Sequence, residues 1–185
     1  MVARSRWVCF LGVLLFLGAA RFVHAKGWGD DVNPGAGPAL IEAHRAALLA
    51  LVKTPEAERA AVAQAFVAKQ GADAIEAAKR FRNPELRVLF HAYLAAEDWK
   101  LKHRALHALE TMGDATVLPT AWELLEHPVP RMREKAALVL LKLWDPAAAK
   151  TLGGGKPAEA IAERAGREGN FHVRMVLDAL AKRIA

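Results

Sequence analysis

From residue 38 onward the apolar positions recur three and four residues apart, in runs of helical length separated by Gly, Pro and Asp signals. The clearest stripe starts at Lys102. Ala105, Leu106, Leu109 and Met112 follow at +3, +4, +7 and +10, offsets that share one face of an α-helix. A second stripe starts at Arg133, with Ala136, Ala137, Leu140 and Leu143 at the same offsets. The two copies align without a gap, Leu101 on Met132 through Met112 on Leu143. A third begins at Val173-Arg174, with Leu177, Leu180, Ala181 and Ile184 on the inward side. The step from Arg133 to Arg174 is longer than the step from Lys102 to Arg133. The extra stretch is Thr151-Leu-Gly-Gly-Gly-Lys-Pro157, which reads as a flexible loop between repeats. A weaker match at Leu86-Arg87, with Phe90, Tyr93 and Leu94, falls half a repeat before Lys102. It therefore belongs to the partner helix of a two-helix unit. Small residues on these stripes admit a neighbouring helix closely, while Leu and Met fill the core.

Boundary signals fall where such a unit needs them. Thr54-Pro55-Glu56 and Asn83-Pro84-Glu85 each offer an N-cap, a proline at the first helical position and an acid. Gly113-Asp114 closes one helix and caps the next. His127-Pro128-Val129-Pro130 is a stiff connector, and Asn170 is a cap. The pattern predicts helices at 38–53, 55–70, 72–82, 84–96, 98–112, 114–127, 130–144, 157–166 and 170–184, with a kink at Pro119. From residue 55 these pair as four helical hairpins, with 38–53 as an N-terminal capping helix.

The Leu101-Lys102, Met132-Arg133 and Val173-Arg174 dipeptides, the Ala-rich face behind them and the Gly113-Asp114 terminator resemble the HEAT family, in particular the short repeats of about 30 residues found in bilin-lyase-type proteins. Pro119 fits the first helix of a HEAT pair. The resemblance is good over 84–185 and looser over 38–82. It implies an all-α fold, a right-handed α-α superhelix of the armadillo type. It also implies that the repeated basic residue helps hold neighbouring repeats together, although one copy carries Lys in place of Arg. The physical ground for a solenoid is that one hairpin cannot bury its apolar face alone, whereas stacked neighbours make a continuous core.

The N-terminal segment 1–25 has a different character. MVARSR is basic, Trp7 to Ala20 is almost wholly apolar, and Val23-His24-Ala25 is a small-x-small-like cleavage site. Residues 1–25 are therefore expected to be a signal peptide, cleaved after Ala25 or, second, after Ala20. The apolar run is shorter than the roughly 20 residues that span a bilayer. The Gly-, Asp- and Pro-rich segment 26–37 is expected to be a flexible linker, and 38–185 the repeat domain. The expected location is the periplasm or the exterior, with no membrane span after signal cleavage.

Composition supports this picture. The chain has 185 residues, is 54% hydrophobic and 25% charged, and has one Tyr. Its formal charge is +6, but loss of Arg4, Arg6 and Arg21 leaves 23 basic against 20 acidic side chains, a net of +3. That is a small charge for nucleic-acid binding, which is not expected. The sole cysteine, Cys9, lies in the expected leader, so the rest of the chain has no thiol nucleophile and no disulfide.

Candidate chemistry is sparse. His103, His107 and Glu110 share one helix face, and an i, i+4 His pair can chelate zinc. The metalloprotease pattern needs Glu after the first His, where Arg104 stands, and the stripe turns both histidines away from the core. Gly153-Gly-Gly-Lys156 lacks the spacing and the Ser/Thr of a phosphate loop. Glu123, Glu126 and Asp114 offer carboxylates, but on a helix face better explained by solvation. The only serine is Ser5. No catalytic residue, metal or cofactor is expected, and the chain is read as a non-enzyme.

What remains is surface. Basic residues cluster at Lys79-Arg80-Arg82-Arg87, at Lys100-Lys102-Arg104 and at Arg131-Arg133-Lys135, the last two at equivalent places in successive repeats. Trp28 lies in the linker, while Trp99, Trp122 and Trp144 lie at or near helix ends. The expectation is an interaction scaffold that binds a protein or peptide partner through a curved face bearing Lys102, Arg133 and Arg174, with Trp99 as a contact. The alternatives are a nucleic-acid-binding HEAT-like protein, or a lyase or metal-assisted enzyme subunit.

Overall fold

The structure is a computed structural model that describes residues 37–185 apart from 148 and 151. The expected signal peptide and residues 26–36 of the expected linker lie outside the described residues. The described part is one folded unit, all helix and turn among the described residues. Its helices are α1 Gly37–Lys53, α2 Glu56–Val67, α3 Ala72–Phe81, α4 Arg87–Leu94, α5 Trp99–Met112, α6 Leu118–Glu123, α7 Pro130–Leu143, α8 Pro157–Arg167 and α9 Phe171–Ile184.

They stack in two rows. In one row α1 packs on α3, α3 on α5, α5 on α7 and α7 on α9. On the other side α2 packs on α4, α6 packs on α7, and the 114–127 segment is tied to α4 by His91–Asp114 and to α8 by Arg164, which donates to the Leu125 carbonyl. Each of α4/α5, α6/α7 and α8/α9 is a packed hairpin. This is an α-α solenoid.

The predicted stripes are its core. Ala105, Leu106, Leu109, Ala136, Ala137, Leu140, Leu177 and Leu180 are all fully buried. Each such Leu is worth roughly 1.5–3 kcal/mol relative to exposure. The longer step to the third copy holds as well, since Met132 and Val173, Ala136 and Leu177, and Val139 and Leu180 are buried pairs of equivalent positions. Met112 departs from the stripe and is 39% exposed. It is the last residue of α5, and no further turn covers it.

Most of the predicted punctuation holds. Gly113 adopts φ 71, its N–H bonds to the Glu110 carbonyl, and the Asp114 N–H reaches the Leu109 carbonyl at 3.0 Å. This double closure satisfies two terminal carbonyls and needs a left-handed residue. Asn83 Oδ1 accepts from the Glu85 N–H at 2.9 Å, and Asn170 Oδ1 accepts from the His172 and Val173 N–H groups. Thr54 differs from expectation. Its hydroxyl donates to the Ala50 carbonyl at 2.9 Å, closing α1, so it does not cap α2. A threonine just past a helix can satisfy an orphan carbonyl as readily as an orphan N–H.

Two expected helices are broken. Residues 84–86 form a 3-10 turn ahead of α4. The segment 114–127 divides into a 3-10 turn at Ala115–Val117, α6, and a second 3-10 turn at Leu124–Glu126. Pro119 therefore kinks no running helix. It sits in the first turn of α6, where a missing N–H costs nothing.

The inserted segment is also more built than expected. Ala149 and Leu152 are buried. Gly153, Gly154 and Gly155 all have positive φ. A Cβ on Gly153 would come within 3.0 Å of the Trp122 ring and 3.1 Å of Ala160. The glycines let the backbone seat against α6 and α8, so the insertion docks on the solenoid.

Candidate interaction surface

The repeated basic position has three fates. Lys102, in the first turn of α5, is half-buried, and Arg174, on α9, is exposed. Arg133, on α7, is turned into the structure. Its Nε and Nη2 donate to the two Glu168 carboxylate oxygens at 2.8 and 2.7 Å, and Nη1 donates to the His127 and Pro128 carbonyls at 2.9 and 3.1 Å. One guanidinium thus ties α7, the connector before it and the α8–α9 turn together, and a planar fork suits this better than an ammonium. Arg133 holds Glu168 well below the usual carboxylate range, assisted by the Asn170 N–H. In return the Glu168 bond raises the Arg133 guanidinium. Trp99 opens α5 half-buried and rests against the core, as do Trp122 and Trp144.

His103, His107 and Glu110 do share one face; His107 is exposed on it, as expected, while His103 and Glu110 are half-buried. Glu110 accepts from Lys135 of α7 and lies 3.5 Å from both Lys142 Nζ and His107 Nδ1. Lys135 is itself buried, and its Nζ lies 3.2 Å from His107 Nδ1. An ammonium already stands where a metal bridging His107 and Glu110 would have to sit. Among the described residues no group of three or more His, Cys, Asp or Glu gathers as ligands. Burial first, then the charges of Lys135, His107, Arg131 and Arg104, push His103 down to about 4. His107 is lowered by burial and by Lys135.

A second tie links α3 to α5, where Glu76 accepts from Lys79 at 3.2 Å and from Arg104 at 3.4 Å. Glu76–Arg104 and His107–Lys135 are both 28 residues apart. That is one repeat less one helical turn, a spacing visible in the sequence that apolar stripes alone do not reveal. The carboxylates Glu123, Glu126 and Asp114 are scattered. Glu123 is exposed and Glu126 pairs with Arg164. Asp114 caps Thr116 and meets His91 Nε2 at 3.0 Å.

Charge is divided between the rows. On α1, α3, α5, α7 and α9 fourteen Lys and Arg stand against six Asp and Glu, while α2, α4, α6 and α8 carry four against five. The apolar stripes of the first row face the core, so the excess, apart from buried Lys135 and the inward-turned Arg133, lies on that row's outward side and edges.

Two rows of stacked hairpins, joined by a buried Arg133–Glu168 tie, match the profile of HEAT repeats over residues 86–181. The chain belongs to the HEAT-repeat family. HEAT repeats generally build protein-interaction scaffolds and are typically non-enzymatic. The match begins at Leu86, just ahead of α4, and runs to Ala181 in α9. No curated protein and no solved structure matches the chain.

Proposed function

We propose that the protein is an exported, non-enzymatic HEAT scaffold that binds a protein or peptide partner through the outward face of the row α1, α3, α5, α7 and α9. The observation that carries this reading is the basic excess on that row, set on a family architecture whose general use is protein interaction. Lys102 and Arg174 are the contact cations in this reading, with Trp99 beside Lys102. Arg133 acts through Glu168 by holding the α7 and α9 faces in register. Export rests on the basic, apolar and small-residue pattern of residues 1–25, and no helix of the described residues is long and apolar enough to cross a membrane.

The test is affinity capture from the native envelope. Lys102→Glu with Arg174→Glu is expected to lose partners that the wild type retains, and N-terminal sequencing of the envelope form is expected to begin at Lys26. An unchanged partner set in the double variant removes the proposed face. Binding of duplex DNA at moderate salt, read by fluorescence anisotropy, replaces the peptide reading with the nucleic-acid one.

A further inference from the structure

Between the C-terminal halves of α3 and α5 lies a groove of about 610 Å³, the size of a site for a large side chain and its flanking backbone. Its lining is divided. Ala78, Phe90 and Ala108 are buried and form an apolar floor, and the exposed Met112 stands at its edge. Glu76, Lys79, Arg80, Arg82 and His107 supply the ionisable lining. Glu76 is already engaged by Lys79 and Arg104. Arg80 and Arg82 make no ion pair among the described residues, so the groove offers two uncommitted guanidiniums beside an apolar floor.

Arg82 is unusual in its backbone as well. It closes α3 at φ 53, ψ 31 and is the one non-glycine with positive φ among the described residues. Glycine is the ordinary occupant of that position, and a side chain there is strained. Asn, the other common choice, is used at the next position, Asn83, where its Oδ1 caps the following turn. The chain thus keeps a long cation at a site that favours glycine, and that cation lies on the groove. The α3 C-terminus adds partial negative charge nearby, which Arg80 and Arg82 together outweigh.

We infer that the α3/α5 groove is a docking site for an acidic peptide segment bearing a large apolar side chain. The apolar residue lies against exposed Met112 over the floor of Ala78, Phe90 and Ala108, and flanking carboxylates pair with Arg80 and Arg82. Guanidiniums suit carboxylates by their forked geometry. The apolar floor argues for a peptide over a phosphate backbone, which has no large aliphatic group to place there. This deepens the scaffold reading, on which it rests, and it uses residues distinct from Lys102 and Arg174.

The probe is a fluorescein-labelled peptide in which Leu and Phe alternate with Glu, titrated into the full chain and read by anisotropy. Controls carry Lys in place of Glu, or Ser in place of Leu and Phe. The acidic apolar peptide is expected to bind, with both controls at least about tenfold weaker. Arg80→Glu with Arg82→Glu is expected to weaken binding by about tenfold or more, and Met112→Glu to weaken it too. Lys156→Glu with Arg167→Glu carries the same charge change at exposed positions of the α8 segment, away from the groove, and is expected to stay within about twofold. Arg82→Gly guards against misfolding, because it relieves the backbone. It is expected to keep or raise Tm while lowering affinity. Equal losses in the Lys156/Arg167 and Arg80/Arg82 pairs, unchanged affinity in Arg82→Gly, or equal competition by a single-stranded oligonucleotide overturns the groove assignment. If captured native partners survive the Arg80/Arg82 change but not the Lys102/Arg174 change, the groove falls and the scaffold stands. If the wild type captures no partner, the scaffold reading itself falls.

Discussion

Glu168 receives the one two-pronged side-chain tie between repeats among the described residues. It is buried, it accepts both ends of the Arg133 fork, and its Oε1 also accepts from the Asn170 N–H at 2.9 Å. Glu168→Gln keeps the shape and removes the charge, leaving a mostly buried guanidinium without its counterion. The expected cost is about 3 kcal/mol in a urea melt. Its pH dependence has a definite sign. The folded carboxyl titrates below its ordinary value of 4.5, so its contribution is complete above that value and is lost as pH falls through the lower folded value. Urea midpoints between pH 6 and pH 3 should show a steep acid limb that flattens in Glu168→Gln. His103 acts higher on the scale. Folded it titrates at about 4, against an ordinary 6.5, so the unfolded chain takes up the proton first. Stability is therefore expected to fall as pH drops from 6.5 toward 4, and His103→Gln should reduce that slope. His44, His107 and His127 are lowered in the same direction and account for what remains.

Among the elements, the α5-to-α6 junction depends on two adjacent residues. Gly113 takes the left-handed conformation that ends α5, and Asp114 caps the following turn while holding His91 of α4. Gly113→Ala meets no steric neighbour, since nothing lies within 4 Å of an added Cβ. Its expected cost of roughly 1–2 kcal/mol comes from backbone conformation alone. A thermal melt that leaves Tm unchanged would show that the junction can close another way. This Gly-Asp pair was readable in advance because a terminator and a cap are local. The division of 114–127 into three short pieces was not. It depends on how α6 must turn to lie on α7, and residue propensity carries no record of that.

At the scale of the molecule, a solenoid transmits contacts only to neighbours, and its stability is close to a sum of repeat and interface terms. Ile75 on α3 and Leu177 on α9 are both fully buried, with α5 and α7 stacked between their helices. Ile75→Ala and Leu177→Ala should each cost about 2–5 kcal/mol, and together the sum to within about 0.5 kcal/mol. A coupling well above that in denaturant titrations would mean the rows behave as one closed core. The split of basic charge onto one row belongs to this scale too. A chain of modest net charge presents a face far more positive than its total implies, because the layers sort the residues.

Periodicity and local Gly, Pro and cap signals determined that the chain is helical, where most of its helices begin and end, and that they stack by a short two-helix repeat. Apolar spacing is a local property, and burial enforces it position by position. Tertiary structure decided the rest. Arg133 is a strut while its equivalents Lys102 and Arg174 are not, because only Arg133 meets a glutamate from the next turn. The glycine insertion is docked because Trp122 stands beneath it. His107 stays exposed but meets a buried lysine of the next repeat, and His103 is partly covered. Those outcomes depend on which side chains two separate helices bring within a few ångströms, and a repeat pattern fixes the register of the helices but not the chemistry at each contact.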